Sequence, residues 1–299
     1  MSDSSASTLS ALEGVIAAVP TPITEAGAPD IDRFLTQCRW ALENGCNGLN
    51  ILGTTGEANS FGREARITIM TAAAKAFDSK RLMVGTGLPD AEGTIALTKM
   101  AYALGYGAAL VLPPFYYKSV SDDGLFSYFE KLVNATKETP IPLFLYNFPA
   151  LTGVPYSESL IVRLVGELGG RVRGIKDSSG DIPYCQRLAK ALPGFMVYPS
   201  SETALTMAKE DGFAGCISAS VNITAPRAGK IWNSSDADER AREGAKIAAE
   251  RAAISAEPLI PAIKFLIASR YNDPAWEALL PPLMPLTEGE KKRLLTALQ

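Results

Sequence analysis

Lys176 closes an apolar run, Val172-Arg173-Gly174-Ile175-Lys176-Asp177, and is followed by Ser178-Ser179-Gly180. Alternation from Gly174 turns its side chain toward the interior of the sheet that holds the run. Lysine is seldom buried without a partner or a task. An amine in apolar surroundings loses its proton more readily and attacks carbonyl carbon. The competing reading is structural: Lys176 snorkels to a rim or pairs with Asp177. A second run ends Leu145-Tyr146-Asn147-Phe148-Pro149. Tyr146 there is either a phenol for proton transfer or a core tyrosine with a satisfied hydroxyl. A third ends Gly53-Thr54-Thr55-Gly56-Glu57. Its small residues and two hydroxyls present backbone N–H groups as an anion cradle, or else form a capped turn. Ser200-Ser201-Glu202 and Ile217-Ser218-Ala219-Ser220 end two further runs, as partners for a polar substrate or as helix caps. Tyr116 and Tyr117, beside Lys118, follow Pro113-Pro114-Phe115 on a loop, where paired tyrosines suit a subunit contact or a lid.

The chain has no histidine. Ser-His-Asp hydrolysis, Cys-His proteolysis and His-ligated zinc are thereby excluded together. Acid–base work near neutral pH falls to Lys, Tyr, carboxylates or thiols, and Schiff-base formation at Lys176 is the natural candidate. A net charge of -3 without a basic run argues against a nucleic-acid partner. No apolar run reaches the roughly 18 to 20 residues of a membrane span. The polar start, Met1 to Gly14, lacks the basic and apolar regions of a secretion signal. Cys38, Cys46, Cys185 and Cys216 are scattered and suit buried thiols in a reducing compartment, so a cytoplasmic protein is expected.

The chemistry-bearing ends belong to a series of continuous apolar runs: Val15–Ile23, Gly48–Gly53, Arg81–Gly87, Ala108–Pro113, Ile141–Asn147, Val172–Asp177, Phe195–Tyr198 and Gly212–Ser218. Continuity, rather than alternation, marks strands buried on both faces. Between them lie stretches with helical spacing: Asp30–Asn44, Gly62–Phe77, Pro89–Leu104, Ser121–Glu138, Tyr156–Leu168, Ile182–Leu192 and Glu202–Lys209. The repetition predicts an α/β protein, a (β/α)8 TIM barrel over residues 14–233. A doubly wound sheet is disfavoured, because Val19-Pro20-Thr21-Pro22-Ile23 supplies no Gly-rich turn after the first strand. Residues 1–13 read as a flexible tail, and residues 234–299 as a C-terminal helical extension. That extension comprises a helix over Ala237–Ala256 and a second over Pro258–Tyr271, interrupted at Pro261. An extended Pro281, Pro282, Pro285 linker then leads to a last helix opened by the capping box Thr287-Glu288-Gly289-Glu290. Barrel active sites lie at the C-terminal strand ends, where the residues above fall.

In order and spacing, Gly53-Thr54-Thr55-Gly56-Glu57, Phe115-Tyr116-Tyr117, Tyr146-Asn147-Phe148-Pro149 with Thr152-Gly153, Gly174-Ile175-Lys176 and Pro281-Pro282-Leu283-Met284-Pro285-Leu286 resemble the dihydrodipicolinate synthase / N-acetylneuraminate lyase family of class I aldolases. The resemblance runs from about Gly14 onward. It implies a Schiff base between Lys176 and the keto carbon of pyruvate or a related 2-oxo acid, with Tyr146 shuttling the proton. It further implies that Thr54 and Thr55 bind the carboxylate and that Ile217 lines the pyruvate pocket through its backbone. By the same resemblance Thr55 would link Tyr146 to the next subunit, whose Tyr117 would cross a tight dimer interface to complete the relay. A homotetramer built as a dimer of dimers, with no cofactor and no metal, is implied too.

The chain departs from the lysine-biosynthetic synthases at Leu151, where they carry an arginine that binds aspartate semialdehyde. Glu202 matches a carboxylate that binds sugar hydroxyls in the sialic-acid lyases, while Ser201 stands where a second acid belongs. The expectation is a Schiff-base lyase that releases pyruvate and an aldehyde from a 2-oxo-3-deoxy sugar acid, or dehydrates such an acid. Ser178, Ser200, Glu202, Ser218 and Leu151 would shape its substrate pocket. The alternatives are dihydrodipicolinate synthase proper and a non-catalytic sensor of 2-oxo acids.

Overall fold

The structure, a computed structural model, describes residues 9–168 and 170–299. Strands β1 (Gly14–Ala18), β2 (Gly48–Ile51), β3 (Leu82–Gly85), β4 (Ala108–Val111), β5 (Leu143–Asn147), β6 (Val172–Asp177), β7 (Met196–Pro199) and β8 (Gly215–Ser218) are all parallel. They pair in the order β7-β6-β5-β4-β3-β2-β1-β8. Ala214 donates its N–H to the Val197 carbonyl at 3.0 Å across the seam, giving a nearly closed barrel. Its helices are α1 (Ile31–Glu43), α2 (Arg63–Ala76), α3 (Ala91–Ala103), α4 (Asp122–Ala135), α5 (Glu158–Glu167), α6 (Ile182–Ala191), α7 (Ala208–Asp211) and α8 (Val221–Asn233).

Both strand faces are buried, which is why the apolar runs are continuous. Ile16, Met83, Leu110, Phe144, Tyr198 and Ile217 point along the barrel axis, while Val15, Ile51, Val84, Leu145, Ile175 and Val197 pack outward. The predicted Val15–Ile23 strand stops at Ala18, since Pro20 and Pro22 have no N–H to extend the ladder. The stretch read as a helix over Glu202–Lys209 splits into a 3-10 turn, Glu202–Thr206, and the single turn α7, which Gly212 ends at φ 71. Of the tail predicted over residues 1–13, residues 1–8 lie outside the described residues. Leu9 and Leu12 are buried, and the Leu12 carbonyl accepts the Tyr198 hydroxyl at 2.8 Å. This segment therefore plugs the barrel before β1 rather than fraying.

Beyond α8 come α9 (Ala237–Ser255), α10 (Leu259–Tyr271) and α11 (Glu288–Ala297). α10 is not interrupted at Pro261. The proline occupies its first turn, where the missing N–H would have had no helical partner. Ile254, Ile263, Ile267, Trp276, Leu286 and Leu294 form a separate core that meets the barrel at Ala219, just past β8. α9 and α10 meet at a bend of 110°, which swings the start of α10 over the barrel mouth. Among the described residues no single helix is long and apolar enough to cross a membrane. All four cysteines are buried free thiols.

One long-range tie fixes this appendage. The Lys264 ammonium pairs with the Glu57 carboxylate, and both side chains are fully buried. Lys264 also donates to the Ala278 carbonyl at 2.8 Å, and Glu57 accepts the Leu280 N–H at 2.8 Å.

Candidate active site

Gly174 faces the barrel axis: a Cβ there would lie 2.4 Å from a ring carbon of Phe144. Two residues on, Lys176 therefore also points inward, and it is 4% exposed. The β5–β6 register sets Tyr146 opposite Lys176 and Asn147 opposite Asp177. The Lys176 Nζ donates to the Tyr146 hydroxyl at 3.3 Å and lies 4.4 Å from the ring centroid. Asp177 points the other way. It accepts from Asn147 Nδ2 at 2.6 Å and from the Ser179 hydroxyl at 2.7 Å. Burial raises its carboxyl pKa, and those hydrogen bonds oppose the rise. The ion pair of the structural reading of Lys176 is thus absent. Among the described residues, no carboxylate contacts this amine.

The Tyr146 hydroxyl, 3% exposed as a residue, sits 3.1 Å from Thr54 Oγ1. The chain Lys176–Tyr146–Thr54 corrects the expected link through Thr55. The turn after β2 is responsible. Leu52 (φ 55) and Glu57 (φ 53) both adopt left-handed backbone, which aims Thr54 at Tyr146. Gly85 makes the turn sterically accessible, for a Cβ there would lie 2.0 Å from the Leu52 carbonyl oxygen. The N–H groups of Gly56 and Glu57 bond back to Gly53 and Thr54. Those of Thr54 and Thr55 have no partner among the described residues, and both residues line the cavity.

A cavity of about 660 Å³ opens above these residues. Of the predicted site residues, Lys176, Tyr146, Thr54, Thr55, Ile217, Ser178 and Leu151 line it. Ser200 lines it as well, and the hydroxyls of Ser178 and Ser200 have no hydrogen-bond partner among the described residues. Leu151 stands at the rim, 63% exposed. The opposite wall comes from the appendage: Pro258 to Pro261 at the start of α10, and Pro282 to Pro285.

Glu202 and Ser218, expected to bind substrate, do not line the cavity. The Glu202 carboxylate is fully buried and accepts from Ser218 (2.6 Å), Ser220 (2.9 Å), Thr224 (3.0 Å) and Arg251 (2.9 Å). With four donors around two oxygens, the carboxylate is satisfied within the protein. Ser218 is held in the same network. Tyr117 also lies apart from its own chain's site. It is 74% exposed and stacks edge-on with Tyr116 at 5.3 Å between centroids.

Two functional features were invisible in the residue pattern. Arg251, within the charge-rich stretch of α9, lines the cavity. Its neighbours in sequence carry the same Ala, Glu and Arg signature, and only the docking of α9 over β8 distinguishes it. Lys264 has the same character, since its partner Glu57 is 207 residues away.

A profile of the dihydrodipicolinate synthetase family matches residues 11–299. An uncharacterized DapA-like lyase of Chloroflexus aurantiacus is 30% identical over 286 residues, covering 95% of each chain. A 4-hydroxy-tetrahydrodipicolinate synthase of Thiobacillus denitrificans is 32% identical over 221 residues, 73% of this chain and 72% of its own. Among solved structures, the E. coli K12 prophage protein YagE, a member of the dihydrodipicolinic acid synthase family in complex with pyruvate, superimposes with a TM-score of 0.87 at 29% identity. That match covers 96% of this chain and 97% of the other.

Proposed function

The chain belongs to the dihydrodipicolinate synthetase family of lyases, and we propose that it cleaves, or reversibly makes, a 2-oxo-3-deoxy sugar acid through a Schiff base on Lys176. The observation that carries this reading is the buried amine with no carboxylate contact, 3.3 Å from a phenol that is itself 3.1 Å from Thr54. The pyruvate complex of the E. coli K12 relative supports a 2-oxo acid as substrate.

In the cleavage direction, the Lys176 amine adds to the C2 ketone and water leaves, giving an iminium. Tyr146 takes the proton of the C4 hydroxyl. The C3–C4 electron pair moves into the iminium, which releases an aldehyde and leaves a neutral enamine. Protonation at C3 and hydrolysis return pyruvate and the free amine. A phenol is a poor base at neutral pH, and Thr54 offers the next oxygen along which a proton moves. The backbone N–H groups of Thr54 and Thr55 hold the 2-oxo acid carboxylate, and Ile217 closes the pocket beneath it. Dehydration of the same class of acid begins with the same iminium.

Tyr117 reaches outward, and a second copy of the chain in a homotetramer is the reading for its role. Light scattering and the activity of Tyr117→Phe test that. The second reading, 4-hydroxy-tetrahydrodipicolinate synthase, is favoured by the Thiobacillus relative. Leu151 speaks against it, because an apolar side chain stands where the lysine-biosynthetic synthases carry the arginine that binds aspartate semialdehyde. Borohydride reduction with pyruvate, followed by peptide mapping, tests the shared step: a pyruvate adduct on Lys176 is expected, and its absence refutes the lyase. Assays with 2-oxo-3-deoxy sugar acids and with pyruvate plus aspartate semialdehyde then separate the two readings.

A further inference from the structure

Resting on the lyase reading above, we propose that Arg251 reads the far end of the substrate and that this end is a second carboxylate. The guanidinium lines the same cavity as Lys176 but comes from α9 of the appendage. One nitrogen, Nη1, is fully occupied: it donates to Glu202 at 2.9 Å, to Ser218 at 3.0 Å and to Ser220 at 2.6 Å. Those contacts fix the plane of the group. Nε and Nη2 have no partner among the described residues and are not sealed from solvent. Together they form the side edge of the guanidinium, two parallel N–H donors whose spacing matches the two oxygens of a carboxylate. An arginine cannot accept a hydrogen bond, so whatever meets that edge supplies acceptor oxygens.

The neighbouring wall favours a substrate that runs from Lys176 to this fork. Ser178 follows β6, Ser200 follows β7, and Arg251 is anchored at the end of β8. Adjacent strands lie roughly 4.8 Å apart, so the three form a polar strip about 10 Å long. Hydroxyls along a sugar-acid chain meet Ser178 and Ser200, and its terminus meets Arg251. The facing wall, with Pro258, Leu259, Pro282 and Leu283, offers no competing charge. Glu290 also borders the cavity, its Oε2 held by the Thr287 N–H at 2.6 Å and the Thr287 hydroxyl at 2.7 Å; its negative charge disfavours an anion near the start of α11 and leaves the Arg251 edge as the place for one.

The experiment compares two 2-oxo-3-deoxy acids of equal chain length, one ending in a carboxylate and one in a primary alcohol. Pyruvate release is measured for the native enzyme and for Arg251→Lys, which keeps a cation against Glu202 but lacks the fork. A charge-assisted hydrogen bond contributes about 1.5–3 kcal/mol, so kcat/KM of the native enzyme is expected to favour the diacid by roughly 10-fold to 100-fold. Arg251→Lys is expected to erase most of that preference through KM, lowering kcat/KM for the diacid more than for the alcohol-ended acid. Equal turnover of both acids by the native enzyme overturns the proposal, as does a variant that loses both activities in proportion. Borohydride trapping of pyruvate runs in parallel. An adduct without diacid preference refutes Arg251's role alone, whereas no adduct refutes the lyase. If neither acid turns over, or if the variant fails to fold, thermal stabilisation of the native protein by the two acids decides, and equal stabilisation overturns the proposal.

Discussion

Lys264→Met is expected to damage both stability and catalysis, although its side chain touches no residue of the amine–phenol pair. Its ammonium and the Glu57 carboxylate are fully buried, and burial pushes the Lys264 pKa down, with Glu57 partly restoring it. Methionine fills the volume but deletes two donors, those to Glu57 and to the Ala278 carbonyl. Glu57 is left with the Leu280 N–H alone. Removing one member of a buried pair costs roughly 3–5 kcal/mol, against about 0–1 kcal/mol for an exposed one. The double variant Glu57→Gln, Lys264→Met leaves no unpaired charge, so it is expected to lose less than Lys264→Met by itself. Denaturant unfolding of the native chain, both single variants and the double variant measures this. The catalytic consequence follows from position: Glu57 sits in left-handed backbone three residues after Thr54, and its anchor holds that turn. The single variant should therefore lower kcat. A loss below about 1 kcal/mol for Lys264→Met, or strict additivity in the double variant, refutes the view that this pair locks the appendage to the site.

Four shorter predictions follow from the same geometry. Tyr146→Phe should retain pyruvate adduct formation while turnover falls roughly 10²- to 10⁴-fold, read by comparing borohydride trapping with steady-state rates. Thr54→Val should lower kcat and Thr55→Val chiefly raise KM for pyruvate; the reverse pattern would return the relay to Thr55. Gly174→Ala drives a Cβ to 2.4 Å from both the Phe144 ring and the Met196 carbonyl oxygen, and should cost about 1–3 kcal/mol or more in denaturant unfolding. On the acid side, Arg227 holds Glu243 below its ordinary pKa, and Arg33 does the same for Asp273. Their stabilisation is complete above the unfolded carboxylate pKa of about 4 and is lost as pH falls through the lowered values, so Tm should drop below pH ~4. Arg33→Gln should flatten part of that slope.

The strand ends announced themselves because a parallel barrel buries both faces of every strand, and continuous apolar runs are the direct trace of that burial. The inward aim of Lys176 was legible for a local reason, the two-residue period from Gly174. What lay opposite it was not, since pairing Tyr146 with Lys176 depends on register between two strands. The expected contact of Tyr146 fell one residue off for a related cause: Thr54 and Thr55 are equivalent as letters, and the turn with left-handed Leu52 brings Thr54 to the phenol. Glu202 misled more deeply. An acid on a loop at the barrel mouth reads as a substrate ligand, yet Thr224 and Arg251, 22 and 49 residues further on, occupy it. Pro261 misled through a rule that holds in helix interiors and fails in the first turn.

The cavity lining is shared between barrel and appendage, and that bears on how the site divides its labour. The amine, the phenol, the hydroxyl turn and Ile217 come to the cavity from the barrel. Arg251, Pro258 to Pro261 and Pro282 to Pro285 come from the appendage, which Lys264 ties to Glu57. In the proposed reaction the barrel groups act on atoms common to any 2-oxo acid, and the appendage meets the rest of the substrate. Substrate choice can thus change through α9 and the segment before α11 without disturbing the iminium chemistry. Such freedom has one restriction. Lys264 and the Leu280 N–H both hold Glu57, and Glu57 closes the turn that carries Thr54. A change that shifts α10 therefore shifts the contact between Thr54 and Tyr146. Substitutions at Arg251, or among Pro282 to Pro285, should move KM ratios between substrates at constant adduct formation. Substitutions at Lys264 should lower turnover on every substrate alike, and a selective effect there would contradict this division.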